Sequence, residues 1–355
     1  MTRQPTICTF GIFNPGYSRS RMMRLGLESF GCRVVIVQDR TPGWRKYVNL
    51  RRKLKTAANQ FDVLLVCFPG QTAMVLARLT SLKPVIFDAF TSLYDSDVYD
   101  RAVVAPFGWG ALWRFCLDFL SLHLADFVLV DTEAQRRYYV RTFKLKPERI
   151  GVVPVGSVEG IMQPQPLANR QPGEPVLVHF HGNFIPLQGV AVILGAARLL
   201  NTEPIRFQII GRGQQYDQMR VQARASQLTN VSFLEPVPYE ELPRWMAQAD
   251  ICLGIFGATP KSSRVVPNKA FEALACRRPL ITQDSPASRE ILVSGVHALL
   301  IPANDPAALA AAIRQLAADP ALRERLAAAG HELFCRELTT VRIGERLKPF
   351  VERFL

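Results

Sequence analysis

Between Lys261 and Glu290 the chain carries Lys261, Arg264, Lys269 and Glu272 within twelve positions of one another, and these residue types can do chemistry together. Cations at the start of a helix, where backbone N–H groups are free and the macrodipole is positive, suit a phosphate or diphosphate. A carboxylate about one turn further in can accept two hydroxyl hydrogen bonds. A ribose diol beside a diphosphate offers both partners, so the pattern points to a nucleotide. The same residues also fit an ordinary strand, loop and helix of any α/β protein, and residue types alone do not choose between the two.

The elements that would position these residues are legible nearby. Ile251–Phe256 is a short apolar run of the kind that forms a buried strand, and Gly257 ends it. Pro267 fits a first helical turn, and 270–276 has helical composition. Strand signals recur at 6–13, 33–38, 63–68, 85–88, 127–131 and 150–155, then at 176–181, 206–210 and 231–234, with helical stretches between them. This alternation predicts an α/β chain of doubly wound parallel sheets that bind ligands at the carboxyl ends of their strands. A segment rich in Pro, Gln and Gly at 156–173 reads as a linker, so domains are expected over 1–168 and 169–338. A basic amphipathic helix over 339–355 is expected to return to the first domain. Asp305 and Pro306 are placed to start a helix running to Ala318.

The chain has 355 residues, 48% of them hydrophobic, enough for two separate cores. Seven Cys are scattered without C-x-x-C spacing, which indicates neither a zinc site nor a disulfide framework and fits a reducing cytosol. No signal peptide is visible at the N-terminus, and the apolar stretch 111–130 is interrupted by Arg114, Asp118, His123 and Asp126. The formal net charge is +13, and residues 1–168 hold 22 Lys/Arg against 13 Asp/Glu, which favours an anionic partner. Residues 40–55 interleave seven cations with Trp44, Tyr47, Val48, Leu50 and Leu54 and contain no acid. As a helix this segment would suit an anionic membrane surface, or would pack its apolar side on its own domain with the cations solvated. No recognition motif accompanies it, so nucleic acid is not an expected partner.

Pro267-Asn-Lys-Ala-Phe-Glu-Ala-Leu-Ala followed by Arg278-Pro-Leu-Ile resembles the donor-nucleotide segment of glycosyltransferase family 4. The resemblance covers nearly the whole chain and is most specific over 176–301. It implies the GT-B fold, two Rossmann-like domains facing a central cleft, with acceptor on the first and donor on the second. It also implies transfer of a sugar from a nucleotide-diphosphate donor with retention, without a metal and with no cofactor beyond the donor itself. The acceptor would be a glycan or a lipid-linked sugar of cell-surface polysaccharide, lipopolysaccharide or glycolipid assembly, at the cytoplasmic face of a membrane.

Residue by residue, the resemblance implies that Glu272 holds the donor ribose, with Val266 and Lys269 framing the same helix start. The loops at Gly211-Arg212 and Val237 would flank the base, and the loop with Gly16 and Arg19 would face the diphosphate. His181-Gly182-Asn183 through Gln188-Gly189 is similar to a segment whose Arg and Lys neutralise the diphosphate, but Asn183 and Gln188 stand in their places. Lys261 and Arg264 are the expected substitutes, Arg264 lying where many members have a Glu. Phe90 stands where many members have a His against the donor sugar, which leaves Asp88 as the nearest polar group. The loop 88–101, with four carboxylates, is expected to line the cleft; its Asp95-Ser-Asp97 also matches a metal-binding pattern of another glycosyltransferase fold. Two rival classes remain: a nucleotide-sugar epimerase of the same fold, and a non-catalytic nucleotide- or membrane-binding scaffold.

Overall fold

The computed structural model describes residues 4–166 and 173–355. They form two compact units, one made of Met1–Val158 with Leu338–Leu355 and the other of Glu159–Glu337. The division falls after Val158, ahead of the boundary expected at 168, so residues 159–166 of the linker segment go with the second unit. Residues 167–172 of that segment lie outside the described residues.

The first unit runs β1 (Thr6–Gly11), α1 (Ser18–Ser29), β2 (Arg33–Gln38), α2 (Arg45–Ala57), β3 (Val63–Val66), α3 (Gln71–Thr80), β4 (Val85–Asp88), α4 (Trp109–Leu124), β5 (Phe127–Val130), α5 (Glu133–Phe143) and β6 (Ile150–Val152). Its strands pair in parallel in the order β2-β1-β3-β4-β5-β6. β1, β3, β4 and β5 are buried along their full length, as strands covered by helices on both faces must be.

The second unit runs β7 (Val176–His181), α6 (Val190–Leu199), β8 (Ile205–Ile210), α7 (Tyr216–Ala225), β9 (Val231–Leu234), α8 (Leu242–Ala247), β10 (Ile251–Leu253), α9 (Asn268–Ala275), β11 (Leu280–Gln283), β12 (Leu299–Ile301), α10 (Pro306–Ala318) and α11 (Pro320–Glu337). Its parallel sheet has the order β12-β11-β10-β7-β8-β9. Phe180, Ile193, Phe207, Ile281 and Ile313 meet in its core. Asp305 caps α10 as expected, its carboxylate accepting from the Ala308 N–H at 2.9 Å.

The last helix, α12 (Thr340–Glu352), belongs to the first unit and packs against α1. The two helices touch through glycines: a Cβ on Gly344 would lie 2.5 Å from the Gly26 carbonyl oxygen, so any side chain there would force the helices apart.

Four expected strands end two or more residues early, at Gly11, Val66, Val152 and Leu253. The residues beyond Leu253 remain buried: Ile255 C=O still accepts from the Gln283 N–H at the end of β11 at 3.0 Å, whereas Phe256 N–H turns to the Gln188 carbonyl of the loop after β7 at 3.2 Å. Pro267 precedes α9 as its extended N-cap (ψ 149°), one position before the first turn expected for it. The apolar stretch 111–130 divides into α4 and β5, and no described helix is long and apolar enough to cross a membrane.

Candidate functional site

In the second unit β7 and β10 lie side by side, β7 leading outward to β8 and β10 leading to β11 in the opposite direction. Strand order reverses at this point, and in open α/β sheets the crevice outside the carboxyl ends of such strands is where ligands bind. The chain leaving β7 is His181–Gln188; the chain leaving β10 runs through Lys261 and Arg264 into α9. The sheet therefore brings together two segments about eighty residues apart in sequence, both singled out above.

Lys269, in the first turn of α9, is buried, and its Nζ sits 3.7 Å over the Phe180 ring while donating to the Gln188 side-chain oxygen. Burial pushes its ammonium well below the usual lysine range, against the pull of nearby Glu272. Gly182 leaves room for this side chain: a Cβ there would lie 2.7 Å from Lys269 Nζ. Gly211 is required in turn, because a Cβ on it would strike the Gly182 carbonyl oxygen at 2.0 Å. The cation placed on Gln188, in the position where resemblance calls for a basic residue, is thus Lys269.

Glu272 is 3% exposed and ends a line of buried hydrogen bonds. Gln208 Nε2 donates to the Trp245 carbonyl at 3.1 Å, which fixes that atom as the amide nitrogen. Its second hydrogen points to His179 Nδ1 at 2.9 Å. His179 must then carry its proton on Nε2, facing His181 Nδ1 at 2.9 Å, and His181 presents Nε2–H to Glu272 Oε2 at 2.8 Å. Burial first, then the neighbouring His181 and Lys269, hold His179 well below the usual histidine range, consistent with this neutral chain. Every donor and acceptor in it is paired in one direction, which fixes the carboxylate and leaves Oε1 for a further partner.

Sequence reading missed His179, His181 and Gln208 as members of the site. A signal was present: residues two apart on a strand share a face, and His179 pairs in register with Gln208 of β8. We expect His181→Phe to weaken nucleotide binding about tenfold, the value of one charge-assisted hydrogen bond. His181→Gln, whose amide can still donate, should weaken it less. Titration calorimetry checks both, and wild-type affinity in His181→Phe would remove the relay from the site.

The other sequence candidates divide. Val266 is buried and Asn183 exposed on their loops, while Lys261 is buried and Arg264 half-buried in the turn before α9. Arg212 is exposed, pairs with Glu235 and lies 4.0 Å over the Tyr216 ring; Val237 is half-buried after β9. In the first unit Gly16 is exposed in a turn closed by Asn14 Oδ1 at 3.0 Å, and a Cβ there would meet only ordinary contacts.

Asp88 requires a correction. It is 2% exposed and held by fully buried Arg19, Nη2 to Oδ1 at 2.8 Å, while Arg19 Nη1 donates to the Val153 carbonyl at 2.6 Å. This pair ties α1 to the ends of β4 and β6, so neither side chain is presented to a ligand. Phe90 packs on Phe68 and lies 5.5 Å from the Arg19 guanidinium. The remaining carboxylates of the 88–101 loop also turn inward: Asp95 and Asp100 are buried, and Asp97 binds Arg114 at 2.6 Å. A cavity of about 400 Å³ lined by Asp250, Arg278 and Pro279 sits where β10 and β11 begin, at the opposite end of the sheet from the site.

Comparison with known proteins bears on this geometry. Residues 175–319, which hold both segments of the site, match the family described as Glycosyl transferases group 1. Over these residues the chain is similar to the group 1 glycosyltransferases. A D-inositol 3-phosphate glycosyltransferase of a Nocardioides species is 27% identical over 232 residues, covering 59% of this chain and 49% of the relative. The probable glycosyltransferase WbjE of Pseudomonas aeruginosa is 30% identical over 145 residues, 39% of this chain and 34% of the relative. The chain thus spans about half the length, or less, of these curated relatives.

Among solved structures, Anabaena HepE in complex with UDP-glucose superposes with a TM-score of 0.74 at 14% identity over 99% of this chain and 100% of that one. Sucrose-phosphate synthase of Thermosynechococcus elongatus gives 0.74 at 16% identity, covering 99% of both chains. The chain has the GT-B fold, as the resemblance implied.

Proposed function

We propose that the chain transfers a sugar from a nucleotide-diphosphate donor to a glycan or lipid-linked acceptor, with retention at the anomeric carbon. The observation that carries this reading is the convergence of Lys269 and the fixed Glu272 carboxylate at the switch point of the second sheet. Glu272 Oε1 would accept from the ribose hydroxyls, and Lys269 with the N–H groups that open α9 would hold the diphosphate. The loops at Gly211-Arg212 and Val237 would flank the base.

As the sugar bond breaks, negative charge grows on the leaving diphosphate. Groups fixed beside it beforehand lower the barrier without reorganising. The leaving phosphate can take the acceptor proton, so the reading needs neither a protein base nor a metal. HepE was crystallised with UDP and with UDP-glucose, which makes uridine donors the first to try.

A panel of nucleotide sugars screened by thermal shift tests the reading. A true donor at a hundred times its dissociation constant should stabilise the protein by about 2.7 kcal/mol. Turnover without an acceptor would favour an epimerase; binding without transfer to any acceptor would favour a scaffold.

Attachment to the cytoplasmic face of an anionic membrane is the second part of the proposal, carried by the acid-free cations of α2. Lys53 is committed to Asp39 at 2.9 Å, so Arg51, Arg52 and Lys55 are the cations to reverse. Changing these three to Glu should abolish binding to anionic vesicles at moderate salt, at about 1 kcal/mol per cation. Cosedimentation across a salt series checks this, and unchanged binding would remove α2 from the contact.

A further inference from the structure

The apolar side of α2 is largely used within its own unit. Leu50, Leu54 and Ala57 are buried, and the Tyr47 hydroxyl bonds Thr72 at 3.0 Å. The unit nonetheless shows a large apolar surface elsewhere, on α4 and the segment leading into it.

α4 is amphipathic in the inverse sense. Its inner side buries Asp118 and Ser121 beside Ala111, Leu117 and Leu122. Asp118 is fully employed there, accepting from Ser92 Oγ and the Tyr94 and Leu93 N–H groups at 2.7, 2.8 and 3.1 Å. Its outer side presents Trp109, Leu112, Trp113 and Leu120 at 86, 50, 64 and 46% exposure. At 3.6 residues per turn these four positions form one stripe about 100° wide. Phe107, fully exposed, and Val103 extend the stripe through 102–113, a run without a charged residue.

Three of the four tryptophans of the chain are exposed, Trp44, Trp109 and Trp113, all in this unit. A helix face turned to water is polar; an exposed stripe of this size marks an interaction surface.

The charges around the stripe select the occupant. α4 packs on α3, and α3 on α2, in one layer. Among the described residues from 40 to 125, no Asp or Glu is exposed, whereas Arg51, Arg52, Lys55, Lys83 and Arg101 are. Lipid headgroups of negative charge complement such a layer, and Trp is the side chain that settles at the water–hydrocarbon boundary. We propose that α4 and residues 102–108 form the apolar insertion surface of an anionic-bilayer contact, with α2 supplying its electrostatic part. This extends the membrane reading given above and rests on it only for the contribution of α2.

Vesicles of phosphatidylcholine with and without phosphatidylglycerol test the proposal. Trp109→Ser with Leu112→Ser and Trp113→Ser should weaken binding to the anionic vesicles at least about tenfold, with nucleotide binding unchanged. The wild-type tryptophan fluorescence should be quenched by lipids brominated on the acyl chain. The α2 reversal should instead act mainly through salt-dependent capture, so the two parts of the contact fail separately. Two results would overturn the inference: wild-type binding retained by the triple serine variant, or no vesicle binding by a wild type whose self-association that variant abolishes. The second would assign the stripe to another copy of the chain.

Discussion

Glu272→Gln is expected to lower affinity for a nucleoside diphosphate roughly ten- to a hundredfold while leaving the melting temperature near that of the wild type. A hydrogen bond to a charged acceptor contributes about 1.5–3 kcal/mol, and a neutral amide supplies a weaker acceptor at the same place. The fold should tolerate the change because the Gln carbonyl can still accept from His181 Nε2, now 2.8 Å from Oε2. The loss should appear in binding and in turnover alike, since ribose hydroxyls do not change charge during transfer. Titration calorimetry with UDP, alongside thermal melting, checks both halves.

Lys269→Met should have the largest effect on turnover. The ammonium is buried over Phe180, and burial holds its pKa well below the ordinary value, so the folded protein carries an energetic cost at this site. The sign follows directly. The unfolded chain keeps a proton that the folded chain gives up more readily, so this group makes stability rise with pH up to the ordinary lysine pKa of about 10.4.

Met fills similar volume without charge, so the variant should be as stable as the wild type or more so. A bound diphosphate favours the charged form and raises this depressed pKa, so donor binding by the wild type should take up a proton, and weaken, as pH rises through the range in which the free protein gives that proton up. Both effects should vanish in Lys269→Met. Because charge on the leaving group grows toward the transition state, turnover should fall further than affinity, by about a hundredfold. Calorimetry in buffers of different ionisation enthalpy measures the proton; single-turnover rates on a confirmed substrate measure the rest.

The fold was readable because its strands are short apolar runs at regular intervals, each followed by a turn and a helical stretch. Strand ends were read too long where an apolar residue such as Phe256 stays buried but bonds to a loop, a difference that hydropathy does not carry. Of the proposed donor site, Glu272 and Lys269 were singled out from their place at a helix start. The relay behind Glu272 was not, because Gln208 joins it only through strand register. Lys261 and Arg264 were chosen as replacement cations by proximity in sequence, whereas helix geometry brings Lys269 onto Gln188. Asp88 was misread for a related reason: its partner Arg19 lies sixty-nine positions away, and a paired carboxylate looks the same in sequence as an available one.

Titration of a nucleoside diphosphate, UDP first, into wild-type protein, Glu272→Gln and Lys269→Met addresses the donor site most directly. The expected result is binding by the wild type that weakens as pH rises through the range in which free Lys269 loses its proton, at least about tenfold weaker binding by each variant, and that pH dependence missing only in Lys269→Met. Equal affinity in all three proteins, or no nucleoside diphosphate bound by the wild type, would contradict a donor site at the switch point of the second sheet.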